Sequence, residues 1–177
     1  MTRRTFLAAT ALARAIPAAI DPQYRLIAHR GGIVDDQHAE NSPGSLQAAI
    51  QRGYWMVEVD IRSTKDGEPI LQHDPNFRRF YGEDRKVEEM TWAEVRRLRS
   101  HPGGSSPIQF RDACRMCEGK IQMMLDIKGE SFPDEFYANL RQNMEQHKLL
   151  RSAYALNGGG EREPSSPETL SHDAHAG

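Results

Sequence analysis

The sequence predicts an α/β domain built on a mainly parallel sheet. Three observations predict it. Short apolar, β-favouring runs recur at 24–28, 55–61 and 121–127. Stretches with helical spacing of apolar residues separate and follow them, and glycine-rich or polar loops mark the changeovers. The chain has 177 residues, 38% of them hydrophobic and 27% charged, which suits one globular domain. Its 23 basic and 25 acidic side chains leave a formal charge of −2, so nothing points to nucleic acid or an anionic membrane as partner. No apolar run approaches the roughly 18 residues of a spanning helix, and two cysteines cannot build a disulfide scaffold.

The elements follow in order. The run at 24–28 ends at His29-Arg30-Gly31-Gly32, a strand passing into a glycine-rich loop. Ser42 before Pro43 reads as an N-cap and first helical residue. Leu46, Ala49 and Ile50 then fall at helical spacing, and Gly53 closes the helix. Met56, Val57, Val59 and Ile61 give 55–61 its β character. Lys65-Asp66-Gly67-Glu68 is a turn signal, and 69–72 returns as a short strand. So short a connection cannot make a parallel crossover, so the pair is an antiparallel hairpin. A turn centred between Asp66 and Gly67 sets Thr64 opposite Pro69, Arg62 opposite Leu71 and Asp60 opposite His73. Thr91 and Glu94 form a capping box opening a helix to about Arg99. A Pro/Gly/Ser loop at 101–107, a helix at 112–118, the strand at 121–127 and an amphipathic helix from 133 to about Leu150 complete the pattern.

The two ends differ from this middle. Arg3-Arg4 precedes a short apolar run and small residues suited to cleavage, so 1–19 is expected to be a twin-arginine export signal. Such a signal delivers a folded bacterial protein to the periplasm or beyond; a basic amphipathic N-terminus is the plainer reading. The domain is expected at 20–150. Gly, Pro, Ser and charge dominate thereafter, so 151–177 is expected to be a disordered tail, with His172 and His175 solvated rather than metal-bound.

Polar chemistry collects at strand ends. Glu58 and Asp60 stand two apart on a strand, so both face one side while Val57, Val59 and Ile61 face the other. Paired carboxylates are costly without a cation between them, and an oxygen-only set suits Mg²⁺ or Ca²⁺ better than zinc. An exposed acidic strand face is the plainer reading. His29 and Arg30 end the first strand, where open or closed parallel sheets bind ligands. Arginine offers a donor fork that fits phosphate. The hairpin adds His73, and two histidines flanking a cation supply a general acid and a general base. Asp126 and Lys128 end the 121–127 strand in the same way, as a third carboxylate and a second phosphate-binding cation. Cys114 and Cys117 lack a second ligand pair and read as small buried hydrophobes.

His29-Arg30-Gly31, Glu40-Asn41-Ser42, Val57-Glu58-Val59-Asp60-Ile61-Arg62, Thr64-Lys65-Asp66-Gly67 and His73-Asp74, in that order, resemble the glycerophosphodiester phosphodiesterase family. The resemblance covers roughly residues 24 to 130, and the helix opening at Thr91 matches the one that follows in the family. It implies a TIM barrel related to phosphatidylinositol-specific phospholipases C, hydrolysing small glycerophosphodiesters with a divalent metal. It further implies His29 and His73 as the acid/base pair, Glu58 and Asp60 as metal ligands, and Arg30 and Lys128 as phosphate ligands. Asp126 stands where the family usually carries Glu, its carboxylate one methylene shorter, which retunes the metal. A full barrel takes about 250 residues, so the expected fold is a partial (β/α)8 barrel, its N-terminal half, with a β-hairpin after the second strand. Two expectations follow: a truncated gene product that at most binds a cation or phosphate ester, or a half completed by another copy of the chain.

Overall fold

The computed structural model of the protein describes residues 25–32, 36–129, 131–149 and 155–157. The expected export signal at 1–19 lies outside the described residues, as does most of the expected tail. The chain runs through β1 (Ile27–Ala28), a 3-10 turn (His29–Gly31), α1 (Pro43–Gln51), β2 (Met56–Ser63) and β3 (Pro69–Leu71). It continues with β4 (Asn76–Phe77), α2 (Arg78–Tyr81), β5 (Glu83–Lys86), a second 3-10 turn (Val87–Glu89) and α3 (Trp92–Val95). The last elements are α4 (Phe110–Cys117), β6 (Gln122–Ile127), α5 (Asp134–Gln146) and β7 (Ala155–Asn157).

β1, β2, β6 and β7 lie side by side in that order, each neighbouring pair parallel, and β3 adds antiparallel to β2. This is the α/β architecture with a parallel sheet that the alternation of strands and helices implies. Val57, Val59 and Ile61 of β2 are fully buried, in one core with Leu46 and Ala49 of α1, Phe110 and Ala113 of α4, and Phe136 and Leu140 of α5. Period-two alternation turns Glu58 and Asp60 to the opposite face. Cys114 and Cys117, one helical turn apart on α4, are free and fully buried in that core, and burial pushes both thiols up to about 12. They are packing groups, as the lack of a partner pair implies.

Local chemistry sets the boundaries. Ser42 caps α1 with a reciprocal box: its Oγ accepts from Ser45 N–H at 3.2 Å, and Ser45 Oγ accepts from Ser42 N–H at 3.1 Å. Thr91 N–H donates to Glu94 Oε2 at 2.9 Å, as expected, but regular helix ends at Val95. Beyond it, 3-10-type bonds from Arg97 to Glu94 and from Leu98 to Val95 tighten the chain.

The hairpin register differs from the expectation by one residue. Ile61 pairs with Leu71, Arg62 with Ile70 and Ser63 with Pro69. The loop holds three residues, Lys65-Asp66-Gly67, closed by Thr64 N–H to Glu68 O at 3.1 Å and Gly67 N–H to Thr64 O at 2.9 Å. Gly67 takes φ +79°, the left-handed position that ends a three-residue hairpin turn. Gln72 N–H therefore donates to Asp60 O at 2.9 Å, and His73 is not opposite Asp60.

Two regions hold elements where the sequence pattern gives none. The ribbon β4–β5 carries α2 at its tip and closes over a second small core of Ile70, Phe77, Val87, Met90 and Val95. Its β5 is Glu-Asp-Arg-Lys, largely exposed, and shows no apolar alternation to betray a strand. β7 falls within the stretch expected to be a disordered tail; there the backbone of 155–157 pairs with the free edge of β6.

Candidate active site

The parallel pairing of β2 with β6 builds the site. It sets Asp60 directly beside Asp126, with Glu58 two residues back on the same face of β2. Glu58, Asp60 and Asp126 each offer a carboxylate oxygen, and these oxygens lie within 4.8 Å of one another. Asp126 reaches the group despite its short arm because it is the cross-strand neighbour of Asp60. Glu58 and Asp60 are 7% and 1% exposed, so their charges are largely withdrawn from water. Burial pushes the Glu58 carboxyl above its usual range; the Arg30 N–H and His29 oppose this, and the charges of Asp60 and Asp126 add to it.

Such a group needs positive charge. Lys128, two residues beyond Asp126, supplies some: its Nζ donates to Asp126 Oδ2 at 2.6 Å and lies 3.3 Å from Asp60 Oδ1. Partial burial alone would lower the Lys128 pKa, but these carboxylates outweigh it and hold the ammonium above its ordinary value. An all-oxygen, anionic and largely buried donor set fits a hard divalent cation, and Lys128 shows that a cation is welcome at its rim.

The turn at His29–Gly31 delivers the next groups. Arg30 takes φ +54°, left-handed for a non-glycine residue, and this aims its N–H at Glu58 Oε2, 2.7 Å away. His29 Nε2 stands 3.8 Å from the same oxygen. Glycine is required next: Gly31 has φ +71°, and a Cβ there would meet Asn41 Cα at 2.8 Å. Asn41 N–H donates to Arg30 O at 2.8 Å, while the Asn41 amide donates to Asp60 Oδ2 at 2.7 Å and accepts from Asp60 N–H at 3.2 Å. The Arg30 side chain turns to Glu40, its Nη1 donating at 3.4 Å, while its Nε is buried without a hydrogen-bond partner among the described residues.

His73 sits elsewhere on the rim. Its Nδ1 bonds Asp74 Oδ1 at 2.8 Å, and its ring groups with Asp74 and Glu40 rather than with the carboxylate trio. Arg79 of α2 bonds both Asp74 and Glu40. The structure thus gathers Glu58, Asp60, Asp126, Lys128, His29 and the Arg30 backbone at one point, and joins His73 to it through Asp74, Arg79, Glu40 and the Arg30 side chain. Sequence reasoning assigned no role to Asn41, Glu40, Asp74 or Arg79. The first three stand inside motifs that drew attention for other members. Arg79 lies in the stretch without a readable pattern.

Comparison with known proteins bears on the family and the fold. The model of the glycerophosphoryl diester phosphodiesterase family matches residues 29–151. Lysophospholipase D GDPD1 of Homo sapiens is 31% identical over 110 residues, 61% of this chain and 33% of that protein. Glycerophosphodiester phosphodiesterase 1 of Rattus norvegicus is 38% identical over 116 residues, 59% of this chain and 34% of that one. The crystal structure of a glycerophosphodiester phosphodiesterase from Agrobacterium tumefaciens matches with a TM-score of 0.65 at 19% identity, covering 75% of this chain and 57% of that one. A phosphodiesterase of Oleispira antarctica, solved in complex with the product sn-glycerol-3-phosphate, matches with a TM-score of 0.58 at 25% identity, covering 68% of this chain and 51% of that one. The chain spans about a third of the length of the curated relatives it matches. The family match begins at His29 and runs through both site strands, so every residue brought together here falls within it: the chain belongs to the glycerophosphoryl diester phosphodiesterase family.

Proposed function

We propose that this chain carries the cation- and phosphate-binding half of a glycerophosphodiester phosphodiesterase site, on the N-terminal half of a (β/α)8 barrel. The observation that carries this reading is the convergence of Glu58, Asp60 and Asp126, whose ligand oxygens lie within 4.8 Å of one another. These three would hold Mg²⁺ or Ca²⁺, which supplies Lewis-acid stabilisation of charge on a phosphate oxygen. Arg30 and Lys128 grip the phosphate; the Nε of Arg30, buried without a hydrogen-bond partner among the described residues, leaves that guanidinium with donor capacity to spare. One of His29 and His73 takes a proton from the attacking hydroxyl, of water or of the substrate itself. A new O–P bond forms as the bond to the leaving oxygen breaks, and the other histidine hands its proton to the departing alkoxide. An alcohol and glycerol phosphate result when water attacks.

Export to the periplasm or beyond fits the arginine pair at 3–4. Pairing with a second copy is supported by the sheet: among the described residues β1 and β7 end it, and Leu26 and Ile27 stand 43% and 42% exposed at the β1 end. The same exposed end favours a second reading, a remnant that binds a cation or phosphate ester without turnover.

The test is release of glycerol phosphate from glycerophosphocholine by the full chain with Mg²⁺ or Ca²⁺, followed by phosphorus NMR with size measurement alongside. His29→Ala and His73→Ala should each cut the rate by about 10²–10⁴. Near-normal rates in either variant remove that histidine from the mechanism. Cation binding without turnover in the monomer and the dimer selects the remnant reading, and activity confined to a dimer selects barrel completion.

A further inference from the structure

Apart from the carboxylate trio, Glu40, His73 and Asp74 form a second group with ligand atoms within 4.8 Å of one another, and the cation bound there is the chain's own Arg79. Arg79 Nε donates to Asp74 Oδ2 at 2.8 Å and its Nη2 to Asp74 Oδ1 at 3.1 Å. Its Nη1 donates to Glu40 Oε2 at 3.2 Å, and Nη2 also bonds Glu40 Oε1. The Phe80 ring packs 4.5 Å from the guanidinium carbon. Each carboxylate then acts on a residue of the proposed mechanism. Asp74 Oδ1 bonds His73 Nδ1 at 2.8 Å, and Glu40 accepts from Arg30 Nη1 at 3.4 and 3.5 Å. Arg62 Nε donates to His73 O at 3.0 Å and pins the backbone of that histidine to β2.

We propose that Arg79 is a positioning residue, bridging Asp74 and Glu40 so that the His73 imidazole and the Arg30 guanidinium keep fixed orientations toward one substrate. The proposal rests on the roles given to His73 and Arg30 above. An ionised carboxylate only accepts hydrogen bonds, so the proton on the His73–Asp74 contact belongs to His73 Nδ1, and Nε2 is the nitrogen that takes or gives the transferred proton. Burial works against the ionised form of Asp74, but the bonds from Arg79 and His73 prevail and hold its carboxyl below the usual range. Arginine suits the bridge because its planar fork gives each carboxylate two directed bonds, four in all, which the three N–H groups of an ammonium cannot reproduce. The fork is carried by α2, whose Tyr81 packs edge-on against Phe77 in the second core, so the bridge rests on a packed element.

The experiment uses the full chain with nitrogen-15-labelled imidazoles, His73 being assigned by loss of its signals in His73→Gln. Wild type should show His73 with a proton held on Nδ1. Arg79→Ala should shift the His73 nitrogens toward an exchanging tautomer mixture and lower kcat by about 10-fold or more, the scale of losing an orienting partner. Arg79→Lys keeps the charge but not the paired bonds to each carboxylate, so it should restore the melting temperature without restoring the His73 spectrum. Wild-type His73 signals in both variants, with only stability changed, would overturn the proposal. If the alanine variant does not fold, the lysine variant decides alone. If the wild-type chain releases no glycerol phosphate, the proposed function fails, while the imidazole spectrum still decides the role of Arg79.

Discussion

Asn41 clamps Asp60 at two points, donating from its amide nitrogen to Oδ2 at 2.7 Å and accepting the Asp60 backbone N–H at 3.2 Å. The clamp fixes both the strand and the carboxylate rotamer of a residue only 1% exposed. Asn41 itself sits at φ +53°, a backbone region in which Asn and Gly are at ease. Asn41→Gly should therefore keep the turn and lose the clamp. Divalent-cation affinity, measured by calorimetric titration, should fall about 10–100-fold.

Lys128 neutralises part of the carboxylate group without a metal, through Asp126 and Asp60. Lys128→Met should make the fold depend more on added cation. Its melting temperature in a chelator should drop by several degrees, and saturating Mg²⁺ or Ca²⁺ should recover most of the loss, since a ligand at about 100 times its Kd stabilises by about 2.7 kcal/mol. An unchanged melting temperature in chelator would show that the carboxylates do not need Lys128.

Gly31 tests the turn that aims Arg30 at Glu58. Its φ of +71° and the 2.8 Å approach of a Cβ to Asn41 Cα make Gly31→Ala doubly unfavourable. Chemical denaturation should show a loss of about 2 kcal/mol or more, accompanied by weaker cation binding because Asn41 is displaced. Gly53 is the control. It has φ +74°, and a Cβ added there would meet nothing within 4 Å, so Gly53→Ala should cost only about 1 kcal/mol and leave cation binding unchanged.

Glu94 carries a pH-dependent part of the stability. Hydrogen bonds from the Thr91 N–H, Arg85 and the Thr91 hydroxyl hold its carboxyl at about 2, against an ordinary 4.5. A depressed carboxyl stabilises the fold fully above its unfolded value and loses that contribution as pH falls through the folded one. Glu94→Ala should therefore be less stable at neutral pH, and its stability should decline less steeply than wild type between about pH 4.5 and pH 2. Parallel acid limbs in the two proteins would contradict the assignment.

What is legible in the sequence is what local chemistry encodes. The alternation of Val57, Val59 and Ile61 with Glu58 and Asp60 sets both the core face and the carboxylate face of β2. The caps at Ser42 and Thr91 carry their reciprocal partners three residues on. Less legible is anything decided by one backbone angle or by distant partners. Lys65-Asp66-Gly67-Glu68 suits either a two-residue turn or the three-residue loop that Gly67 adopts, and that choice moves His73 by one place. β5 is stabilised by pairing with β4 rather than by apolar alternation, so Glu83–Lys86 reads as a loop. Arg79 meets Glu40 across 39 positions, a contact that no local spacing announces.

One cation held by Glu58, Asp60 and Asp126 is the centre of the proposed chemistry. Titrating the full chain with Mn²⁺ as a paramagnetic stand-in, and counting sites by electron paramagnetic resonance, tests it directly. Wild type should bind one ion per chain, displaced by Mg²⁺ or Ca²⁺, and Asp60→Asn should lose that site with its fold retained. Equal binding by Asp60→Asn, or none by wild type, would contradict it.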